Sequence, residues 1–412
     1  GFPSDQYDGW RLAGAGCGGW QMRRLRTVMF SGLLLVFSGT APAQGVTLPA
    51  VERVELDNGA VLLMLEKHDV PLIGIEVVIR GGAVSDPEGM AGLSSLLAGL
   101  LEKGAGERDS ATFAEAVAAV GGELAATAEL EGITISGEFM ARDAALMVEL
   151  VADMLQRPAL DADEMSKLRD RQINFIRAAK DTNLGALVPM YGAAFLFGEH
   201  PYGNPVSGSE ESLASIRHRD LRGYYEDHVG ADRLVIAVVG DFELAVMTEL
   251  LTAAFADWRP AAAEAIAIAP PEPEPGRRVL LVDKPGATQT YIWLAGPGVG
   301  IDYAQRAELN IANTVFGGRF TSMLNNALRV ESGLTYGARS SLTQPSLPGS
   351  VAIYSFTKTD STIEAIDMAI GILEQLFAEG VSGEMLDSAK NYILGQYAPR
   401  LETSAQLAGM VS

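Results

Sequence analysis

The sequence predicts an α+β protein made of two homologous α/β sandwich domains, and three observations carry that expectation. Strand-like apolar runs come in groups, with helical runs between and after them, which favours α+β sandwiches over a doubly wound sheet. A stretch from Arg259 to Gly276 interleaves Pro260, Pro270, Pro271, Pro273 and Pro275 with Ala and Glu, and reads as an extended interdomain linker. On either side of it the chain repeats itself. The run VLLMLEK from Val61 resembles VLLVDK from Val279 at an offset of 218, and Glu164-Met165 matches Glu384-Met385 at an offset of 220.

The elements follow in order. Val51–Leu56 and Val61–Glu66 alternate around Asp57-Asn58-Gly59, a strong hairpin signal. Leu72–Ile79 and Thr134–Phe139 read as strands, and Ala91–Glu102, Ala144–Gln156, Ala162–Ala179 and Phe242–Phe255 as helices. The second half repeats the mixture, with strands at Val279–Val282, Thr290–Leu294, Leu334–Ser341 and Ser350–Phe356. Its helices are expected near Tyr303–Val315, Phe320–Val330, Thr362–Ala378 and Gly383–Tyr397. By the offset, Ser412 corresponds to Tyr191 or Gly192, so the second domain is expected to be incomplete at its C-terminus. The expected division is an upstream extension and signal peptide over 1–43, an N-terminal domain over 44–258, a linker over 259–277 and a C-terminal domain over 278–412.

Met22 opens the leader: Arg23, Arg24 and Arg26 make a basic region, Val28 to Phe37 an apolar one, and Ala41-Pro42-Ala43 a small-residue cleavage site before Gln44. The apolar run is shorter than the ~20 residues that span a bilayer, so cleavage rather than stable membrane insertion is expected. The single cysteine, Cys17, precedes Met22, and no cysteine follows the apolar region to carry a lipid. In a Gram-negative cell these features imply a periplasmic protein. The formal charge is −21, and the first 43 residues contribute four Arg and two Asp, leaving −23 on the remainder. Such a balance argues against nucleic acid as a partner; it reads as surface acid that keeps the protein soluble, with an acidic inner wall that favours basic peptides as the alternative. With 48% hydrophobic residues, the roughly 370 residues after the leader suffice for two cores.

The stretch from Gly89 to Gly104 and the ordered segments after it carry a family resemblance. His200-Pro201-Tyr202-Gly203 precedes Gly208, Arg219-Asp220-Leu221, Tyr224-Tyr225 and the run from Leu234 to Asp241. Gly121 to Thr127, then Asn313 to Leu324, Leu328-Arg329 and Gly333 to Tyr336, complete the series. From about Val51 onward the chain resembles the pitrilysin/insulinase-type zinc peptidases, the inverzincins, and within them the non-catalytic subunits such as the alpha-type subunit of mitochondrial processing peptidase. The resemblance implies H-x-x-E-H on the first helix. Anchored on Lys103-Gly104, Ser95, Ala98 and Gly99 stand where that family has His, Glu and His. Two His four residues apart can grip one zinc from one helix face, and the Glu before the second can deprotonate a bound water. A hydroxyl, a methyl and a hydrogen cannot. The family's third ligand, a Glu about 76 residues further on, is expected at Asn174-Phe175-Ile176, where there is no carboxylate. The resemblance likewise makes Gly121 to Thr127 a substrate-side edge strand, with Ala125 where an Asn is frequent.

The resemblance also assigns Arg329 and Tyr336, seven residues apart, to the scissile peptide of a substrate. Arg presents a rigid donor fork to a carbonyl, and a Tyr hydroxyl can stabilise an oxyanion. In bacterial two-subunit members, it implies, one chain brings H-x-x-E-H and the other this pair. The expected function is therefore a non-catalytic, substrate-binding subunit of a heterodimeric periplasmic zinc metallopeptidase. No metal is expected in this chain and zinc is expected in its H-x-x-E-H partner. The alternative is a non-proteolytic scaffold of the same descent, such as the core subunits of mitochondrial respiratory complexes. His68, His200, His218 and His228 have no ligand spacing with a nearby carboxylate and read as surface or structural residues.

Overall fold

In a computed structural model of the protein, residues 50–272 and 274–412 are described; the leader and Cys17 lie outside the described residues. Strands β1 (Glu52–Glu55), β2 (Val61–Glu66) and β3 (Leu72–Arg80) lead to helix α1 (Leu93–Leu101) and a two-residue ribbon, β4 (Gly104–Ala105) and β5 (Arg108–Asp109). Helix α2 (Ser110–Ala119), strands β6 (Glu123–Ala128) and β7 (Gly132–Met140), and helices α3 (Ala144–Gln156), α4 (Ala162–Thr182) and α5 (Leu184–Phe197) come next. Helices α6 (Glu210–Ser215) and α7 (His218–His228), strand β8 (Leu234–Gly240) and helix α8 (Leu244–Phe255) close the first half. The second half contains β9 (Gln289–Pro297), α9 (Arg306–Phe316), α10 (Met323–Asn325), β10 (Ala338–Thr343), β11 (Ser350–Lys358), α11 (Thr362–Glu379), α12 (Gly383–Tyr397) and α13 (Ser404–Val411).

The expected hairpin forms, with Glu55 opposite Val61 and Gly59 at a φ of 90° in its turn. Asn58 fastens the turn to the end of α8 by donating to the carbonyls of Phe255 (2.7 Å) and Trp258 (3.0 Å). The first sheet has six strands in the order β1-β2-β8-β3-β7-β6, with β8 parallel to β2 and antiparallel to β3. Its two faces are both covered, which explains why β8 is buried almost throughout rather than alternating. Leu62, Met64, Ile236 and Val238 join the main core with α1 and α3. Leu65, Ala237 and Val239 point the other way and meet Leu407 and Ala408 of α13.

That cover comes from the far end of the chain, and the second half receives the same treatment in return. Helix α5 lies on β9, where Gly192 lets the backbone approach Trp293 and Gly185 approaches Tyr291 and Tyr354. The 220-residue offset read from the sequence maps Leu184, the start of α5, onto Ser404, the start of α13. The repeat is thus realised as an exchange: each half lends one helix to the open face of the other's sheet. Among the described residues no helix is long and apolar enough to cross a membrane.

Three expectations are corrected. The second sheet has three strands, β10-β11-β9, and Val279–Val282 is not one of them. Its first-half counterpart, β2, pairs with β1 and β8, whereas Val279 (88% exposed) and Leu281 (84%) pair with no described strand. The helix expected over Phe320–Val330 is a short α10, capped by Ser322, that widens into a π-helical turn over Asn326–Glu331. The strand expected from Leu334 starts only at Ala338, because the Thr335 hydroxyl accepts from the Gly337 amide (3.1 Å) and donates to the Gly337 carbonyl (3.0 Å), a local turn that competes with the ladder.

At Gly74 on β3 an added methyl would collide with the backbone of Ala405 at the start of α13. Gly74→Ala should therefore lift α13 from the sheet and cost about 1–3 kcal/mol in urea unfolding, with faster amide exchange over Ser404–Val411. Unchanged stability and exchange would show that α13 is not seated there.

Candidate functional site

Helix α1 carries the positions where a metal motif would sit, and its start is fixed by a buried carboxylate. Asp86 accepts from the amides of Gly92 and Ser94, each at 2.8 Å, and so satisfies two orphan donors at the helix N-terminus. Gly92 stands in the left-handed region at a φ of 95°, where a side chain would be strained and would collide with Gly208. Burial pushes the Asp86 carboxyl up to about 6, against the pull of those backbone donors.

From that start, α1 buries Leu93, Leu96, Leu97, Ala98, Leu100 and Leu101, leaving Ser95 and Gly99 one turn apart on its partly open face. Helix α4 packs across this face. Gln172 donates from Nε2 to the Ser95 hydroxyl at 3.2 Å and also to the Ser207 carbonyl. Leu168, one turn away on α4, lies 3.6 Å from where a side chain on Gly99 would begin. The residue that faces Ser95 is therefore Gln172, two residues before the expected Asn174-Phe175-Ile176. In that segment Ile176 is buried, and Phe175 is 66% exposed. Sequence reasoning missed Gln172 because a register carried over from a family is blind to a shift of two residues.

The donor set does not fit zinc. The Gln172 amide presents an N–H to Ser95, Ala98 is a buried methyl, and Leu168 occupies the approach to Gly99. Among the described residues no group of three His, Cys, Asp or Glu is placed to hold a metal ion. The histidines are engaged elsewhere. His68 pairs with Asp241 at 2.7 Å, which raises its pKa, and His200 bridges the Tyr202 amide (3.1 Å) and the Ala269 carbonyl (2.9 Å). His218 bonds the Leu160 carbonyl, and half-buried His228 lies 4.6 Å from the Tyr224 ring with its pKa lowered by burial.

Glu102, the residue after α1, accepts from the Ala126 amide at 2.7 Å and so ties the helix to β6. Strand β6 is the sheet edge, as expected of Gly121 to Thr127. In the turn between β6 and β7, Glu131 joins the two halves: its carboxylate accepts from the Tyr202 hydroxyl (2.5 Å) and the Ser346 amide (2.8 Å). Beside this junction lies a cavity of 640 Å³ whose wall includes Glu76, Glu129, Glu131, Gln344 and Ser412. Burial and then the Glu129 charge raise the pKa of Glu76.

Arg329 and Tyr336 sit apart from α1 in sequence and on the surface. Arg329 belongs to the π-helical turn and stacks over Phe320, 4.7 Å from the ring centroid. Tyr336 is 80% exposed in the loop before β10, outside any strand although the sequence predicts one over Leu334–Ser341. Neither side chain hydrogen-bonds to any described residue. Their donors are therefore available to a ligand.

Comparison with known proteins agrees with this geometry. A family model described as Insulinase (Peptidase family M16) matches residues 62–210, and one described as Peptidase M16 inactive domain matches residues 215–393. An uncharacterized zinc protease of Mycobacterium leprae is 27% identical over 372 residues, covering 89% of this chain and 82% of that protein. A non-peptidase homolog of Helicobacter pylori is 22% identical, covering 87% of this chain and 83% of its own length. The crystal structure of a peptidase M16 inactive domain from Pseudomonas fluorescens superposes with a TM-score of 0.81 at 22% identity, covering 88% of this chain and 86% of that one.

The Asp86 cap can be checked by its titration. Its pKa in the folded chain, about 6, lies above the ordinary 3.8, so the folded state binds the proton more tightly and this group's contribution to stability falls as pH rises from about 4 to 6. Asp86→Asn does not titrate. The stability of wild type relative to that variant should fall over this range, by at most about 3 kcal/mol in urea titrations. A difference that stays flat with pH would contradict the assignment.

Proposed function

The chain belongs to the insulinase-type M16 peptidase family, and on that premise we propose that it is the non-catalytic, substrate-contacting subunit of a heterodimeric zinc peptidase. Its partner would be a homologous chain that carries H-x-x-E-H and the zinc, and its substrates would be peptides or unfolded segments. The observation that carries the reading is the contrast within one chain. The zinc positions are filled by Ser95, Ala98 and Gly99, while Arg329 and Tyr336 are presented on the surface with free donors. An interior with Glu76 and Glu129 on its wall would favour cationic substrates.

In that role the chain binds and orients. The Arg329 fork would hold a substrate carbonyl, and the Tyr336 hydroxyl would donate to the oxyanion that develops at the scissile bond. Zinc held by the partner's H-x-x-E-H would supply the attacking hydroxide, and among the described residues of this chain no group of three His, Cys, Asp or Glu is placed to hold such a metal. The reading also places the protein in the periplasm, on the strength of the basic and apolar leader from Met22 to Ala43. Intact-mass measurement of the exported protein should give a chain beginning at Gln44, and retention of residues 22–43 would refute that location signal.

Co-expression with an H-x-x-E-H homolog encoded by the same genome provides the decisive experiment. Arg329→Ala and Tyr336→Phe should leave assembly intact, and Tyr336→Phe, which removes one hydroxyl, should lower turnover about 10²–10³-fold. Arg329→Ala should also raise KM, since ground-state positioning is lost. If both variants assemble and cleave peptide at wild-type rates, the contacts are not catalytic and a scaffold role takes their place.

A further inference from the structure

Arg329 has a long, flexible side chain, yet its only specific described partner is an aromatic ring. The guanidinium lies over Phe320, and Phe320 is itself 63% exposed, a large apolar side chain left in water. Burial does not hold the ring in place; its backbone does. Asn325, buried at 3% exposure, donates from Nδ2 to the Phe320 carbonyl (2.7 Å) and accepts at Oδ1 from the Ala338 amide (3.2 Å). One buried amide thus fastens the Phe320 loop to the first residue of β10, two residues beyond Tyr336. The π-helical turn over Asn326–Glu331, a geometry frequent at functional sites, carries Arg329 between these fixed points.

We propose that Phe320 is a positioning residue: its ring holds the Arg329 guanidinium in one orientation, so that the donor fork is preset for a peptide carbonyl before substrate arrives. The proposal rests on the reading of Arg329 as a substrate contact and deepens it. A free arginine loses rotamer freedom when it binds, and a stacked one has already lost part of it. With its central carbon over the ring and no hydrogen bond to a described residue, the guanidinium keeps its N–H groups for an acceptor. Asn325 acts one step further back, by keeping the ring where the arginine needs it.

The test separates the stack from its consequence. In the chain labelled with 15N-arginine, the Arg329 Nε–H resonance, assigned by its loss in Arg329→Lys, reports the ring directly. Phe320→Leu should move that resonance and speed its exchange with water, while Phe320→Tyr should keep both near wild type. Binding is read by the anisotropy of a fluorescein-labelled, unstructured peptide containing Lys and Leu. Phe320→Leu should weaken it about two- to fivefold, the range expected for an exposed cation–π contact. Phe320→Tyr should restore it, and Phe320→Leu should add nothing in an Arg329→Ala background. An unmoved resonance would overturn the proposal, as would a moved resonance with unchanged affinity where Arg329→Ala does weaken binding. If Arg329→Ala binds the peptide as wild type does, the substrate-contact reading itself fails, and the resonance still shows whether the ring holds the guanidinium.

Discussion

A β-sheet with one apolar face exposed to water cannot stand alone, and in this chain each half leaves such a face. Helices α1, α3 and α8 cover only one side of the first sheet. The opposite side, with Leu65, Ala237 and Val239, is closed by α13, whose residues come from the end of the other half. Helix α5 returns the favour on β9, where Gly185 and Gly192 let it approach three aromatic rings. The two halves consequently form one compact unit, and the proline-containing linker joins parts that are already fastened together. The Glu131 clasp to Tyr202 and Ser346 then fixes a junction whose gross arrangement the exchanged helices have decided.

That arrangement explains which parts could be read from residues. Elements with clear periodicity and strong turn chemistry stood out: the Asp57-Asn58-Gly59 hairpin, α3 and α12 all lie where the pattern places them. Helix α5 did not. Its sequence is apolar nearly all round and contains Pro189, so no period separates a buried stripe from a wet one. Val279–Val282 failed for the opposite reason, since its pattern is that of a strand and it pairs with no described strand. A strand is a property of a pair, and the sequence of one member says nothing about the other.

The site divides in the same way. The absence of ligand chemistry at Ser95, Ala98 and Gly99 is legible because it concerns residue types at a fixed helical spacing. What fills the space is not. Gln172 and Leu168 face α1 through the packing of two helices 70 residues apart, and only the packing chooses which turn of α4 lies opposite Ser95. The result is an ordinary helix contact, with a neutral hydrogen bond and a leucine where a metal would need carboxylate and imidazole. Asp86 shows how firmly that helix is still held, with a buried carboxylate on its first amides.

The second-half rim has the opposite character, and energetics argues that folding does not account for it. Stability comes from buried apolar area and satisfied polar groups, and a side chain exposed like Tyr336, bonded to nothing described, contributes little of either. Phe320 exposes apolar surface that a folding-optimised loop would replace with a polar residue. Yet the backbone beneath these groups is fastened at several points: Ser322 caps α10, Asn325 bridges Phe320 to Ala338, and Thr335 builds its own turn before Gly337. Rigid backbone under exposed, unpaired donors is how a binding surface is built, because the ordering cost is met before the ligand arrives. On α1 the reverse holds, with side chains buried or paired within the chain. Among the described residues of the candidate site, the exposed side chains without a hydrogen-bond partner therefore lie around the turn between α10 and β10 rather than on α1.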